Sequence, residues 1–172
     1  MTKEVNELIS RCLTGDRDAQ RELYEQYHRS VYRMVARMVG HAQADDVTQD
    51  VFVKVFRGLR GFRGTSEFST WLYRIAINEC LRQRGSGGLP PSPLHEEPID
   101  PTGEPGQQLE QAELLERALN RLDAQLRAVF LLRELEGLTY DQIASVLEIP
   151  PGTVASQLNR AKTQLRDFLR RM

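Results

Sequence analysis

Apolar residues recur at three- and four-residue spacing through most of this chain, and the rhythm fails outright only between residues 85 and 108. The first pattern, Val5, Leu8, Ile9 and Cys12, predicts a short helix over Lys3–Leu13, which Thr14-Gly15-Asp16 stops and recaps. Leu23, Tyr27, Val31, Met34, Val35 and Met38 then keep helical period from Arg17 to Val39, where Gly40 closes the span. A third pattern carries Val47, Val51, Phe52 and Val55 on one face, with Asp45, Asp46, Gln49 and Asp50 placing negative charge in its first turns. A fourth runs from Phe68 through Trp71, Leu72, Ile75 and Ala76, with Ser66 as its expected N-cap.

After Arg84 the text changes to GSGGLPPSPLHEEPIDPTGEPGQQ, whose Gly and Pro content sustains neither helix nor strand. Helical period returns at Leu109. Ala112, Leu115, Ala118, Leu119 and Leu122 form one stripe, and Leu126, Val129, Phe130, Arg133 and Leu135 form another after Asp123. Gly137 breaks that helix, Thr139 with Gln142 fits a capping box, and Ile143, Ala144 and Leu147 mark the next short helix. Following the tight Glu148–Gly152 connection, Val154, Leu158, Ala161, Leu165 and Phe168 face one way along a last helix. The pattern predicts an all-α chain of two small helical domains, residues 1–85 and 109–172, joined by a flexible acidic linker over 86–108.

Composition adds two constraints. At 172 residues and 40% apolar content the chain suits folded cores, and its net charge of −1 excludes a uniformly basic nucleic-acid coat. The balance is uneven, because Ser86 to Glu110 hold Glu96, Glu97, Asp100, Glu104 and Glu110 but no Lys or Arg. Both flanking halves are therefore slightly basic. Cys12 and Cys80 have no CxxC or Cys-His spacing and read as small core residues, so no metal or other cofactor is expected. No apolar run approaches the ~18 residues of a membrane span and the N-terminus is too polar for a signal peptide, so a soluble cytoplasmic protein is expected.

Three stretches carry candidate chemistry. Residues Gly61 to Arg84 gather the only tryptophan, Phe62, Phe68 and Tyr73 among Arg63, Arg74, Arg82 and Arg84. A helix with one apolar and one basic side, led by an aromatic loop, suits single-stranded nucleic acid, since cations track phosphates and rings stack on bases. It equally suits a basic amphipathic core helix. Asp46 and Asp50 lie four apart on one helix face, but no His or second acidic pair follows at ligand spacing, so a solvated or partner-facing edge is favoured over metal or acid–base chemistry. The last two helices form a candidate helix-turn-helix, with Ala144 at the crossing and Val154 as anchor. It would turn Thr153, Ala155, Ser156, Gln157 and Asn159 toward a major groove, with Arg160 and Lys162 on phosphates.

DDVTQDVFVKVF (45–56), FRGTSEFSTWLYRIAINECLRQR (62–84) and LTYDQIASVLEIPPGTVASQLNRAKTQL (138–165), in that order and around a linker, resemble bacterial RNA polymerase sigma factors of the extracytoplasmic-function type. The resemblance covers nearly the whole chain. It implies a region 2 domain that docks on core RNA polymerase through Asp46, Gln49, Asp50, Val53 and Phe56. It implies that Phe62, Arg63, Gly64, Thr65, Ser66, Arg74, Asn78 and Arg82 meet the minus-10 element and the opened non-template strand, with Trp71 reading as core. It implies a region 4 domain whose Thr153, Ala155, Ser156, Gln157, Asn159, Arg160 and Lys162 read the minus-35 duplex.

The linker would thread toward the polymerase active centre, and an anti-sigma factor, often membrane-tethered, would hold the chain inactive. Ala155 and Gln157 stand where many relatives are basic, which implies weaker phosphate attraction. Glu148 stands where a turn glycine is frequent, which puts the turn geometry in doubt. The chain is expected not to be an enzyme. Two rivals are weighed beside this reading: a stand-alone helix-turn-helix regulator, for which no dimer seam is evident, and a metal-dependent enzyme using His41, Asp45, Asp46 and Asp50, whose ligands are sparse.

Overall fold

The computed structural model describes residues 3–85 and 113–171. Every regular element among them is helical: α1 (Lys3–Leu13), α2 (Arg17–Val39), α3 (His41–Gly58), a 3-10 turn (Leu59–Gly61), α4 (Phe68–Gly85), helix across residues 113–119 (α5), α6 (Ala124–Glu134), α7 (Tyr140–Leu147) and α8 (Pro151–Leu169). The expected linker, residues 86–108, and the start of the second stripe, Leu109 to Ala112, lie outside the described residues.

The helix boundaries follow local chemistry. Asp16 accepts from the backbone N–H groups of Asp18 and Ala19, satisfying donors at the start of α2 that would otherwise have no partner. Asp123 does the same for α6 through Gln125 and Leu126. Thr139 and Gln142 close a reciprocal capping box on α7. Gly40, at φ 91°, ends α2 by donating to Ala36 at 2.8 Å and immediately precedes α3, a backbone corner that an L side chain resists.

Three starting points differ from the sequence expectation. Helix α3 begins at His41, so Asp45 and Asp46 lie past its first turn, which holds no acid. Pattern reading missed those leading residues because most are polar or small. Helix α4 is preceded directly by Glu67, not Ser66, and the Glu67 carbonyl accepts from Trp71 N–H. Helix α8 starts at Pro151, which occupies a first-turn position where a missing N–H costs nothing.

The first half packs α1, α2, α3 and α4 around Leu23, Met34, Val35, Val51, Val55 and Leu72. The second packs α6, α7 and α8 around Val129, Leu132, Ile143, Val154, Leu158 and Ala161. Helix α4 also lies against α7 and α6, so it is covered on two sides. That explains why Tyr73, Ile77, Glu79 and Cys80 are buried along with the expected Phe68, Leu72 and Ala76. Leu115, expected in the core stripe, is instead 41% exposed on the wall of an apolar groove of about 630 Å³ with Ala118, Phe130, Leu165 and Leu169.

Candidate functional site

Three surfaces carry the predicted site residues. On α3, the spacing 46, 49, 50, 53 puts Asp46, Gln49, Asp50 and Val53 on one exposed stripe, because the alternate face of Val47, Val51 and Val55 faces the core. Val53 is 40% exposed, an apolar side chain in a row of acids. Phe56 is half-buried and stacks toward Phe52 at 6.3 Å, so only part of its ring reaches the surface. Beside the stripe, Tyr24, His28, Asp45, Thr48 and Phe52 line a recess of about 410 Å³. An acidic edge with apolar content is suited to a partner that presents cations and apolar side chains together.

The second surface is the loop before α4 and the helix itself. Phe62 is not a free ring: it packs 5.3 Å from Trp71 and 5.6 Å, edge-on, from Phe68, while Phe68 meets Tyr27 at 5.2 Å. A Cβ added at Gly58 would stand 3.4 Å from the Trp71 indole, an ordinary contact distance, so the ring lies directly over that glycine. These contacts fix the loop base and leave Arg63, Gly64 and Thr65 exposed at its tip, with Ser66 half-buried. Gly64 at φ 68° turns the tip. Asn78 is exposed on α4. Arg74 is half-buried and bonded to the second half of the chain, and Arg82 is ion-paired to Glu79. The three do not form one open basic face.

Glu79 was invisible as a functional candidate. It is 2% exposed, and burial would push its carboxyl pKa up, but hydrogen bonds from Arg82 and Lys54 outweigh that and hold it below the usual carboxylate range. Its signal was present: at 79 it continues the phase of Leu72 and Ala76, and an acid in an apolar phase implies a buried partner. Glu136 and Arg127 were missed because their partners, Tyr73 for one and the Arg37 and Met38 carbonyls for the other, lie far away in sequence.

The third surface is α7–α8. Ala144 is buried at the crossing and Val154 fully buried as the anchor. Glu148 takes φ 55°, ψ 42° despite its side chain, and its N–H donates to the Ala144 carbonyl, so the left-handed turn is retained. Ser156, Asn159 and Arg160 are exposed along α8, and Thr153, Ala155 and Gln157 are half-buried. Lys162, expected on phosphate, is ion-paired to Glu134 of α6 at 2.8 Å. Among the described residues no three His, Cys, Asp or Glu side chains gather as a metal site, and no helix is long and apolar enough to cross a membrane.

Residues 23–87 match the family model for sigma-70 region 2, and residues 112–165 match that for sigma-70, region 4. The chain is 34% identical over 169 residues to the ECF RNA polymerase sigma-E factor of Escherichia coli (strain K12), spanning 90% of this chain and 88% of that protein. It belongs to the ECF sigma factors. The sigma-E factor of Haemophilus influenzae is 31% identical over 93% of the chain and 92% of its own length.

Two solved structures share the fold. CnrH, in complex with the cytosolic domain of CnrY, superposes with a TM-score of 0.74 at 23% identity, covering 94% of each chain. RpoE of Bartonella quintana, in complex with the anti-sigma factor NepR, gives 0.71 at 23% identity over 87% of this chain and 96% of its own. Region 2 thus comprises much of α2 with α3 and α4, and region 4 contains α6, α7 and the matched part of α8.

Proposed function

We propose that this sigma factor binds core RNA polymerase and directs it to promoters by reading minus-10 and minus-35 elements, assisting strand opening. The observation that carries the division of labour is the placement of three chemically different surfaces: the acidic-apolar α3 stripe, the loop and polar side of α4, and the exposed side of α8. The α3 stripe is assigned to polymerase through Asp46, Gln49, Asp50, Val53 and the exposed edge of Phe56.

Single-strand contact is assigned to Arg63, Gly64, Thr65, Ser66 and Asn78, with Arg74 and Arg82 joining once their present partners release them. Phe62 supports this loop from below. Extruding a base costs a few kcal/mol, which only a preset loop with cations nearby can offset. Duplex contact is assigned to Thr153, Ala155, Ser156, Gln157, Asn159 and Arg160. Joining two weak DNA sites on one polymerase-held chain raises the effective concentration of the second.

The chain acts in the cytoplasm and makes or breaks no bond itself, phosphoryl transfer being the polymerase's work. An anti-sigma factor is its regulator; the NepR complex of a protein with this fold supports that reading. Run-off transcription with core polymerase tests the proposal: promoter-directed transcripts that depend on this chain are expected, and their absence on every promoter of a genomic template library would overturn it.

A further inference from the structure

The recess beside the α3 stripe is built by two helices. Tyr24 and His28 stand four apart on α2, and Asp45, Thr48, Gln49 and Phe52 recur at three- and four-residue spacing along the facing side of α3. The Tyr24 ring, 37% exposed, lies 4.7 Å from the rings of both His28 and Phe52, so one wall is aromatic. The polar content is of two kinds. Asp45 and Gln49 are exposed, whereas Thr48 is 2% exposed and its hydroxyl has no hydrogen-bond partner in the protein. Among the described residues no Lys or Arg lines this recess.

We propose that the recess seats one arginine side chain of the polymerase, its guanidinium lying on the Tyr24 ring while its N–H groups donate to Asp45, Gln49 and the Thr48 hydroxyl. The inference rests on the reading of α3 as the polymerase-facing helix, and it adds α2 residues that the exposed stripe does not contain. Chemistry selects the occupant. An aliphatic or aromatic side chain would match the ring wall but would seal Thr48 and Asp45 from water with nothing to bond, at a desolvation cost. A lysine ammonium would meet the carboxylate as a point charge and has no flat face to lay on a ring. A guanidinium does both, because its plane stacks on an aromatic face and its edge carries several donors. Gln49 and Val53 line the recess and also stand on the stripe, so the seat is continuous with the proposed docking face.

Thr48→Val separates this role from a structural one. Removing a buried hydroxyl that bonds nothing in the protein should leave urea unfolding, followed by Trp71 fluorescence, unchanged or shifted to higher urea. Binding of the full chain to core polymerase should nevertheless weaken about tenfold, the loss of one hydrogen bond to a charged group. Tyr24→Leu removes the aromatic face and should weaken binding similarly, and Tyr24→Phe, which restores the ring, should recover most of it. The guest is identified by NMR on the labelled full chain, titrated with N-acetyl-arginine amide and, at matched ionic strength, with N-acetyl-lysine amide. The arginine compound should shift the Thr48 and Gln49 amide resonances saturably with roughly millimolar affinity, the lysine compound should shift them less, and Thr48→Val should weaken the response.

Unchanged polymerase affinity in both Thr48→Val and Tyr24→Leu would overturn the seat, as would a fall in the stability of Thr48→Val that matches its fall in affinity. Equal shifts with the two compounds, or none up to about 50 mM, would overturn the arginine assignment. If the wild-type chain does not bind core polymerase, the reading of α3 fails first, and the titration still decides whether the recess takes a guanidinium.

Discussion

The carboxylate of Glu79, buried in α4, accepts a hydrogen bond from the ammonium of Lys54 on α3. Arg82, three residues on along α4, supplies the second cation. One buried acid thereby joins α3 to α4, the helices proposed to face polymerase and DNA, and its removal should loosen their relative placement. Because half of the Lys54 side chain and more of Arg82 are in water, their charges can rehydrate, and Glu79→Ala should cost about 1–3 kcal/mol rather than the larger penalty of a sealed ion pair. Urea unfolding followed by Trp71 fluorescence, a probe confined to region 2, measures it.

Acid should act through the same residue. The Glu79 pKa is held below its unfolded value, so its contribution is fully present above the unfolded carboxylate range, ~4.3, and is lost as pH falls through the lower folded value. Wild-type region 2 should therefore lose stability on acidification below that range. Glu79→Gln should flatten this limb while lowering stability near neutrality. Equal acid slopes in wild type and variant would show that the carboxylate is not the linked group.

Glu148 gives a prediction of opposite sign. Its φ of 55° places a Cβ in the left-handed region at a cost of ~1–2 kcal/mol, which glycine avoids at a smaller entropic cost of ~0.5–1 kcal/mol. Glu148→Gly should thus stabilise region 4 by roughly 0.5–1 kcal/mol. Thermal unfolding with a region 4 probe, such as a tyrosine signal at Tyr140, should show a higher midpoint, and minus-35 binding should be retained because the turn is already in the conformation glycine prefers.

Periodicity made the helices legible because each domain has one core, and a residue on the apolar stripe of α2, α3 or α8 has one place to go. Helix α4 was less legible because it is covered on two sides: Tyr73 and Ile77 fall outside the stripe of Leu72 and Ala76 yet are equally buried. Partners across the halves carry no local signature, so Arg74 reads in sequence as a free basic residue and in the structure as Ser145's donor. The turn at Glu148 shows the converse limit. The resemblance, with a turn glycine frequent at that position, put its geometry in doubt, and the surrounding packing of Ala144 and Val154 outweighed the local preference.

The α3 stripe is tested by reversing one charge. Asp50 is exposed, lies between Asp46 and Val53 on the stripe, and faces away from the Val51 and Val55 side that holds the core. Asp50→Lys should leave folding intact and reduce co-purification with core polymerase by about tenfold or more, since like charge across a docked face costs several kcal/mol. Retained binding at physiological salt would remove Asp50 from the interface.

Duplex binding should discriminate between two cations that look alike in sequence. Arg160 is exposed on α8 near Ser156 and Asn159, whereas Lys162 is already neutralised by Glu134 at 2.8 Å. A cation that contacts phosphate releases about one counterion, so Arg160→Ala should lower the slope of log affinity against log salt by about one and weaken binding to all sequences similarly. Lys162→Ala should change the slope by much less, because the bound ammonium must leave its carboxylate to reach DNA. Fluorescence anisotropy of a minus-35 duplex across a salt series measures both. A slope change for Lys162→Ala matching that of Arg160→Ala would mean that the Glu134 pair opens on DNA and that α8 presses its full length against the backbone.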